Sequence, residues 1–266
     1  MSDRPIGIFD SGVGGLTVVK SLLKRLPNES FIYFGDTAHV PYGSKTREEL
    51  FKYAQDIIGF LLSRNVKTIV VACGTHSSVT LPEIEQAYQV PILGVVKPGA
   101  RAAARATVNG RIGVIATQAT VNSGSYTQCI NTRVSSYEVH AAAGPRFVPL
   151  IEGGKLESEE TRSVVKEYLH PLLTEGIDTL VLGCTHYPIL SEIIIDYTGE
   201  DITLVDPATE TIEELAGILE QNNLLNQNPD NKSREFYVSG SDASFHSVGK
   251  LLLGDVVENV KHIELD

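Results

Sequence analysis

Eight short runs of apolar, largely β-branched residues, separated by longer stretches of helical period, constrain this chain more than any other feature. The runs are "IGIFD" (6–10), "FIYFGD" (31–36), "TIVVAC" (68–73), "ILGVV" (92–96), "IGVIA" (112–116), "YEVHA" (137–141), "TLVLGC" (179–184) and "ITLVD" (202–206). Most are continuously apolar, the pattern of parallel strands covered on both faces. Between them lie amphipathic segments. In 45–64, Leu50, Ala54, Ile57, Ile58 and Leu61 fall on one stripe, and Thr46 and Glu49 have the spacing of a capping box. In 159–175, Val164, Val165, Tyr168, Leu169 and Leu172 do the same, and Gly176 suits a helix stop. Strands and helices alternating in this way predict an α/β fold of doubly wound, mostly parallel sheets.

The pattern also repeats. "IGIFDSG" at residue 6 resembles "IGVIATQ" at residue 112, an offset of 106, and "IVVAC" at 69 resembles "LVLGC" at 180, an offset of 111. A first strand and a cysteine-bearing strand recur in the same order, which predicts two pseudosymmetric lobes. One is expected over 1–97 plus 207–266, with the chain returning to it, and the other over 98–206. Ligands of open parallel sheets sit beyond the carboxyl ends of the strands. Cys73 and Cys184 both stand at such ends, so two lobes facing one another would bring both thiols to one molecule in the cleft.

Bulk properties exclude several classes. No apolar run among the 266 residues approaches the roughly 20 needed to cross a bilayer. The start "MSDRPIGIFD" lacks the pattern of a secretory signal, so a cytoplasmic protein is expected. The net charge is −11 and the basic residues are scattered, which argues against a nucleic-acid partner. Three cysteines without CxxC spacing predict neither a disulfide framework nor a zinc ribbon. Cys129, after "SGSYTQ", is read as a packing residue on a helix. His39, His140, His170, His246 and His262 form no group in the sequence.

Two thiols on opposite sides of one molecule suit the inversion of a stereocentre. A proton must leave one face of carbon and another must arrive at the opposite face, so two proton-transfer groups have to flank it. A thiol, with an ordinary pKa of about 8.5, is close enough to neutrality for its surroundings to set its state. A single buried cysteine is more often a small core hydrophobe, but two at repeat-related positions reverse that preference. Asp10 and Ser11 open the glycine-rich "DSGVGG" loop, whose backbone N–H groups suit an anion. The loop matches neither the dinucleotide nor the Walker pattern. His186, two residues after Cys184, is spaced to stabilise a thiolate or relay its proton, and no cluster supplies metal ligands.

The segments "FDSGVGGLTV" (9–18), "GDTAHVPYG" (35–43), "VVAC" with Thr75 (70–75), "GVVKPGARAA" (94–103), "FVPLIEGG" (147–154), "LGCTHYPIL" (182–190) and "VDPATET" (205–211) carry a resemblance. In order, they resemble the motifs of the cofactor-independent aspartate/glutamate racemase family, over about residues 6–210. The resemblance implies two α/β lobes with glutamate between them, interconversion of its L and D forms, and supply of D-glutamate for peptidoglycan. No cofactor, metal, nucleic acid or membrane is implied, and a homodimer is a possible assembly. It implies that Cys73 and Cys184 are the catalytic pair, with Asp10 beside the first thiol and His186 the partner of the second. It further implies substrate contacts from Asp10, Ser11, Tyr42, Gly43, Gly74, Thr75, Thr185 and His186, and supporting carboxylates at Asp36 and Glu152.

One position departs from the family pattern. Where the family reads Cys-Asn-Thr, this chain has Cys73-Gly74-Thr75, followed by His76. The asparagine is implied to contact the amino acid, and losing one hydrogen bond to a charged ligand costs roughly 1.5–3 kcal/mol. His76 is expected to fill part of the space. The departure keeps three alternatives in view: a racemase of another acid such as aspartate, a thiol hydrolase with Cys73 as nucleophile and His76 as base, and a disabled, glutamate-binding relative.

Overall fold

The computed structural model describes residues 3–265 apart from Arg133, Pro229, Asn231, Asp242 and Glu258. Among the described residues, ten strands form two sheets. They are β1 (Ile6–Asp10), β2 (Phe31–Gly35), β3 (Thr68–Val71), β4 (Ile92–Gly94), β5 (Arg111–Ala116), β6 (Glu138–Ala143), β7 (Thr179–Leu182), β8 (Thr203–Val205), β9 (Arg234–Val238) and β10 (Lys261–His262). The first sheet has the order β10-β9-β2-β1-β3-β4 and the second β6-β5-β7-β8. Every pairing is parallel.

The repeat seen in the sequence is a repeat of topology. The order β2-β1-β3-β4 recurs as β6-β5-β7-β8. Register recurs too: Ile6 stands opposite Thr68, and Ile112 opposite Thr179. These pairs carry the same offsets, 106 and 111, as the matching segments.

Strands here are apolar throughout because both faces are covered. On one face of the first sheet, Ile6, Ile8 and Val70 pack with Leu16, Val19 and Leu22 of the helix Leu16–Arg25 and with Ile212, Leu215 and Leu219 of Pro207–Gln221. On the other, Phe9, Ile69 and Val71 meet Ala54, Ile57, Ile58 and Leu61 of Arg47–Ser63. In the second sheet, Ile115, Leu180 and Leu182 face Val164, Val165, Leu169 and Leu172 of Glu159–Thr174. Its opposite face, with Ile112, Val114 and Val181, covers Ala100 and Ala103 of the helix Val96–Ala106.

Local signals act where the sequence puts them. Thr46 and Glu49 close a reciprocal capping box, Ser158 caps the helix from Glu159, and Gly176 takes a φ of 71° just beyond its end. Among the described residues no helix is long and apolar enough to cross a membrane.

Two sequence readings need correction. β9 and β10 were not among the expected strands. "REFYV" begins with two charged, half-buried residues, and β10 is a two-residue exposed edge, so neither presents a continuous apolar run. The cysteine-bearing strands are also shorter than expected. β3 ends at Val71 and β7 at Leu182, so each cysteine lies two residues past its strand, where the chain has already begun to turn.

Candidate active site

Each sulfur is delivered by the same device. A buried strand ends, the chain turns, and the cysteine is left at the carboxyl edge of the sheet. Cys73 occupies the N-cap position of the short helix Gly74–Val79. The backbone N–H groups of His76 and Thr75 lie close enough to favour the thiolate, though burial outweighs them. Cys184 precedes a 3-10 turn, Tyr187–Leu190, and its recorded partner is a side chain instead. Both thiols are free and buried, and both line one cavity of about 380 Å³ between the two sheets.

The surroundings of the two thiols differ. Asp10, at the end of β1, is fully buried and accepts the N–H groups of Gly15 at 2.8 Å and Gly12 at 3.4 Å. Gly15 permits this tight return, since a Cβ there would stand 2.6 Å from the Asp10 Cβ. Burial, then the Asp10 charge, pushes the Cys73 thiol far above the ordinary range, so it rests protonated. Cys184 instead faces His186, whose Nδ1 lies 3.9 Å from the sulfur. The other ring nitrogen, Nε2, is 3.0 Å from Oε1 of Glu152. Burial alone would lower the His186 pKa, but the contacts with Cys184 and Glu152 outweigh it and raise the value to about 10. The imidazole is therefore an imidazolium at neutral pH.

The repeat makes this inequality explicit. At the offset of 106, the mate of Asp10 is Ala116, which has no carboxylate to offer. One thiol is served by an acid, the other by a histidine–glutamate pair.

Of the residues singled out in the sequence, Ser11, Tyr42, Gly43, Cys73, Gly74, Thr75, Cys184, Thr185 and His186 all line the cavity. Asp10, Asp36 and Glu152 do not. Asp10 lies beneath Thr185, whose hydroxyl donates to it at 3.4 Å. Glu152 backs His186. Asp36, 3% exposed, accepts from the Tyr42 hydroxyl and from Ser239, with His39 against both carboxylate oxygens. His39, ungrouped in the sequence, thus has a fixed place, stacked 4.0 Å from Tyr53 behind the Tyr42 wall.

His76 is not where the sequence reading put it. Its ring is fully buried between Phe9 and Tyr42, bonded through Nδ1 to Thr80 at 3.1 Å, and it does not line the cavity. Burial lowers its pKa to about 3. It neither fills the space beside Gly74 nor contacts Cys73 as a base. Cys129 packs partly buried against the second sheet's core, on the helix Ser125–Asn131.

The rest of the lining, Val40, Pro41, Ser44, Thr117, Gln118, Gly144, Pro145, Val148 and Tyr187, was not among the expected site residues. Thr117 was within reach, because at the offset of 106 it is the mate of Ser11. No Lys or Arg belongs to the lining. An anionic ligand there would meet hydroxyls, backbone N–H groups and the His186 imidazolium.

Comparison with known proteins agrees with this architecture. The sequence profile of the Asp/Glu/Hydantoin racemase family matches residues 6–215. The glutamate racemase of Neisseria meningitidis serogroup A is 46% identical over 263 residues, 98% of this chain and 97% of the relative. That of Carnobacterium sp. is 44% identical with both chains fully covered. The crystal structure of glutamate racemase from Francisella tularensis in complex with D-glutamate superposes with a TM-score of 0.93 at 38% identity, covering 100% of this chain and 99% of that one. With the match spanning both lobes and both cysteine loops, the chain belongs to the Asp/Glu/Hydantoin racemase family.

Proposed function

We propose that this protein is a glutamate racemase that interconverts L- and D-glutamate by proton transfer at Cα, the D form serving peptidoglycan synthesis. The observation that carries the reading is the pair of repeat-related thiols, Cys73 and Cys184, lining one cavity from opposite lobes. In one direction the Cys184 sulfur takes the Cα proton and the Cys73 thiol delivers its own to the opposite face. In the other direction the roles exchange. The His186 imidazolium, held by Glu152, is placed to stabilise negative charge on the Cys184 sulfur. Asp10 keeps the Cys73 proton in place and can steer it.

Ser11, Tyr42, Gly43, Gly74, Thr75 and Thr185 would hold the amino acid, with charge developing at Cα stabilised by fixed donors in a largely enclosed site. The lobe bounds that go with this reading are 1–97 plus 207–266 and 98–206. In support, helix Pro207–Gln221 packs on the first sheet and helix Val96–Ala106 on the second. The test is incubation of L-glutamate with the protein in heavy water. Loss of optical rotation together with Cα deuteration, without added cofactor, is expected. Stable rotation with unlabelled Cα overturns the reading.

A further inference from the structure

The loop after β1 and the loop after β7 meet across the cleft, and glycines on the first make the meeting possible. A Cβ built on Gly14 would stand 2.3 Å from Nδ1 of His186, 2.7 Å from its Cε1 and 2.8 Å from Oγ1 of Thr185. A Cβ on Gly12 would stand 3.3 Å from Oε1 of Glu152. One glycine loop of the first lobe thus lies against both members of the histidine–glutamate pair that serves Cys184. Gly14 is not among the glycines of positive φ, so its backbone conformation is open to a side chain and the opposing loop alone excludes one.

The contact is held from both sides. The Thr17 hydroxyl lies 3.0 Å from the Gly14 carbonyl and 3.3 Å from the Thr185 carbonyl, so one group ties the two loops together. Thr185 in turn donates to Asp10 at 3.4 Å, and Asp10 accepts the Gly15 N–H at 2.8 Å. On the imidazole itself, Nδ1 is 3.9 Å from the Cys184 sulfur and Nε2 is 3.0 Å from Glu152. A ring moved about 1 Å off Gly14, to an ordinary contact of 3.4 Å, cannot keep both.

We propose that Gly14 is a positioning residue: its missing side chain gives the His186 ring a seat on the opposite loop, where Cys184, Glu152 and Asp10 all reach it. This rests on the two-thiol reading above, in which His186 supports Cys184. The ionisable groups acting on the ring are those three, from its own loop, from helix Phe147–Glu152 and from β1. The partner of the second thiol is then complete only while the two lobes touch. Misplacement by about 1 Å can cost about a hundredfold in rate.

The test compares wild type with Gly14→Ala in two measurements. The first is racemisation of glutamate as a function of pH. The second is the titration of the His186 ring by NMR in protein carrying labelled histidine, its signal assigned by its absence from His186→Asn. The wild-type ring should titrate near 10. In Gly14→Ala we expect kcat to fall about a hundredfold, the ring midpoint to fall by at least about one unit, and the alkaline limb of kcat to move down with it. The circular dichroism spectrum should be unchanged. Gly59→Ala, where an added Cβ meets nothing within 4 Å, should change neither measurement.

Undiminished racemisation in Gly14→Ala overturns the proposal. So does lost activity with a ring midpoint that stays or rises, since Gly14 would then serve only the shape of its own loop. Should Gly14→Ala not fold, Thr17→Val decides in its place, because it removes the tie between the loops and adds no bulk. A lowered ring midpoint there supports the seat and an unmoved one overturns it. A wild type that does not racemise overturns the two-thiol reading, whereas the ring titration needs no turnover and tests the seat separately.

Discussion

His186 lies between a sulfur and a carboxylate: its Nδ1 is 3.9 Å from Cys184 Sγ and its Nε2 is 3.0 Å from Glu152 Oε1. With a side chain only 2% exposed, the ring would lose its proton to desolvation if it stood alone. The two flanking acids reverse the sign. The ring is also pressed against the first lobe, since a Cβ on Gly14 would fall 2.3 Å from Nδ1. The charge on one lobe's thiol partner is thus framed by the other lobe's glycine loop.

Glu152→Gln keeps the size of the side chain and removes its charge. The His186 pKa, about 10 in the intact site, should then fall by about 1–3 units, the usual effect of one neighbouring charge. Because the folded value lies above the ordinary 6.5, the ring's contribution to stability is complete below about 6.5 and is lost as pH rises through about 10. The alkaline limb of the kcat profile should follow the same ring and move to lower pH in the variant. An alkaline limb that stays in place would show that His186 is not the group titrating.

Cys73→Ala and Cys184→Ala should each abolish inversion, with a loss of at least about a hundredfold, the lower range for removing a positioned proton-transfer group. Neither should unfold the protein, since each sulfur stands at the edge of its core and also lines the cavity, so its removal enlarges a space that is already open. Racemisation followed by polarimetry checks this. Full activity in Cys184→Ala would leave Cys73 acting alone, as in a thiol hydrolase.

Much of this site was legible in the sequence because it is local. Ser11, Cys73, Cys184 and Thr185 lie one to three residues past strand ends, and strand ends of a parallel sheet are where a cleft forms. The unequal service of the two thiols was only half legible. His186 stands two residues from its cysteine and the family resemblance implied Asp10 beside the first thiol, but the Glu152 bond to His186 spans 34 residues and depends on where the helix Phe147–Glu152 lands. His76 misled because adjacency to a cysteine in sequence says nothing of direction. At the third position of the helix Gly74–Val79 the ring turns away, into the apolar layer with Phe9. β9 escaped because its apolar half is only three residues long, and it becomes a strand by pairing with β2.

Asp36→Asn tests the wall of the cleft. The buried carboxylate accepts from Tyr42, Ser239 and His39, and the Tyr42 ring stacks toward Tyr53. The amide keeps one acceptor oxygen and turns the other into a donor facing hydroxyls or a ring nitrogen. A loss of about 1–3 kcal/mol is expected from the disturbed bonds, read as a lower midpoint in urea, with KM raised more than kcat is lowered. In a double-mutant cycle with Tyr42→Phe the two changes should be strongly non-additive, because they remove the two ends of one bond. Additive effects would place Asp36 outside the support of Tyr42.

Lys67→Met separates stability from chemistry. Lys67 immediately precedes β3, at the end of the first sheet away from the cysteines. Its ammonium, 0% exposed, lies 2.5 Å from Glu29 and 2.7 Å from the Leu224 carbonyl. Glu29, 3% exposed, also accepts the Asn226 N–H at 2.8 Å, so the pair ties the segment after helix Pro207–Gln221 to the base of the first sheet. Burial lowers the Lys67 pKa, opposed by the Glu29 contact, the balance of a charge kept in the interior only by its partner. Removing the lysine strands the carboxylate and should cost about 3–5 kcal/mol. Replacing both, with Lys67→Met and Glu29→Leu, should recover much of that loss, because an apolar pair of similar volume has no charge to desolvate. Urea unfolding of the single and double variants measures this, and kcat for glutamate at a temperature where both are folded should match wild type. A double variant as unstable as the single would show that the Leu224 and Asn226 bonds, and not the stranded charge, hold this corner together.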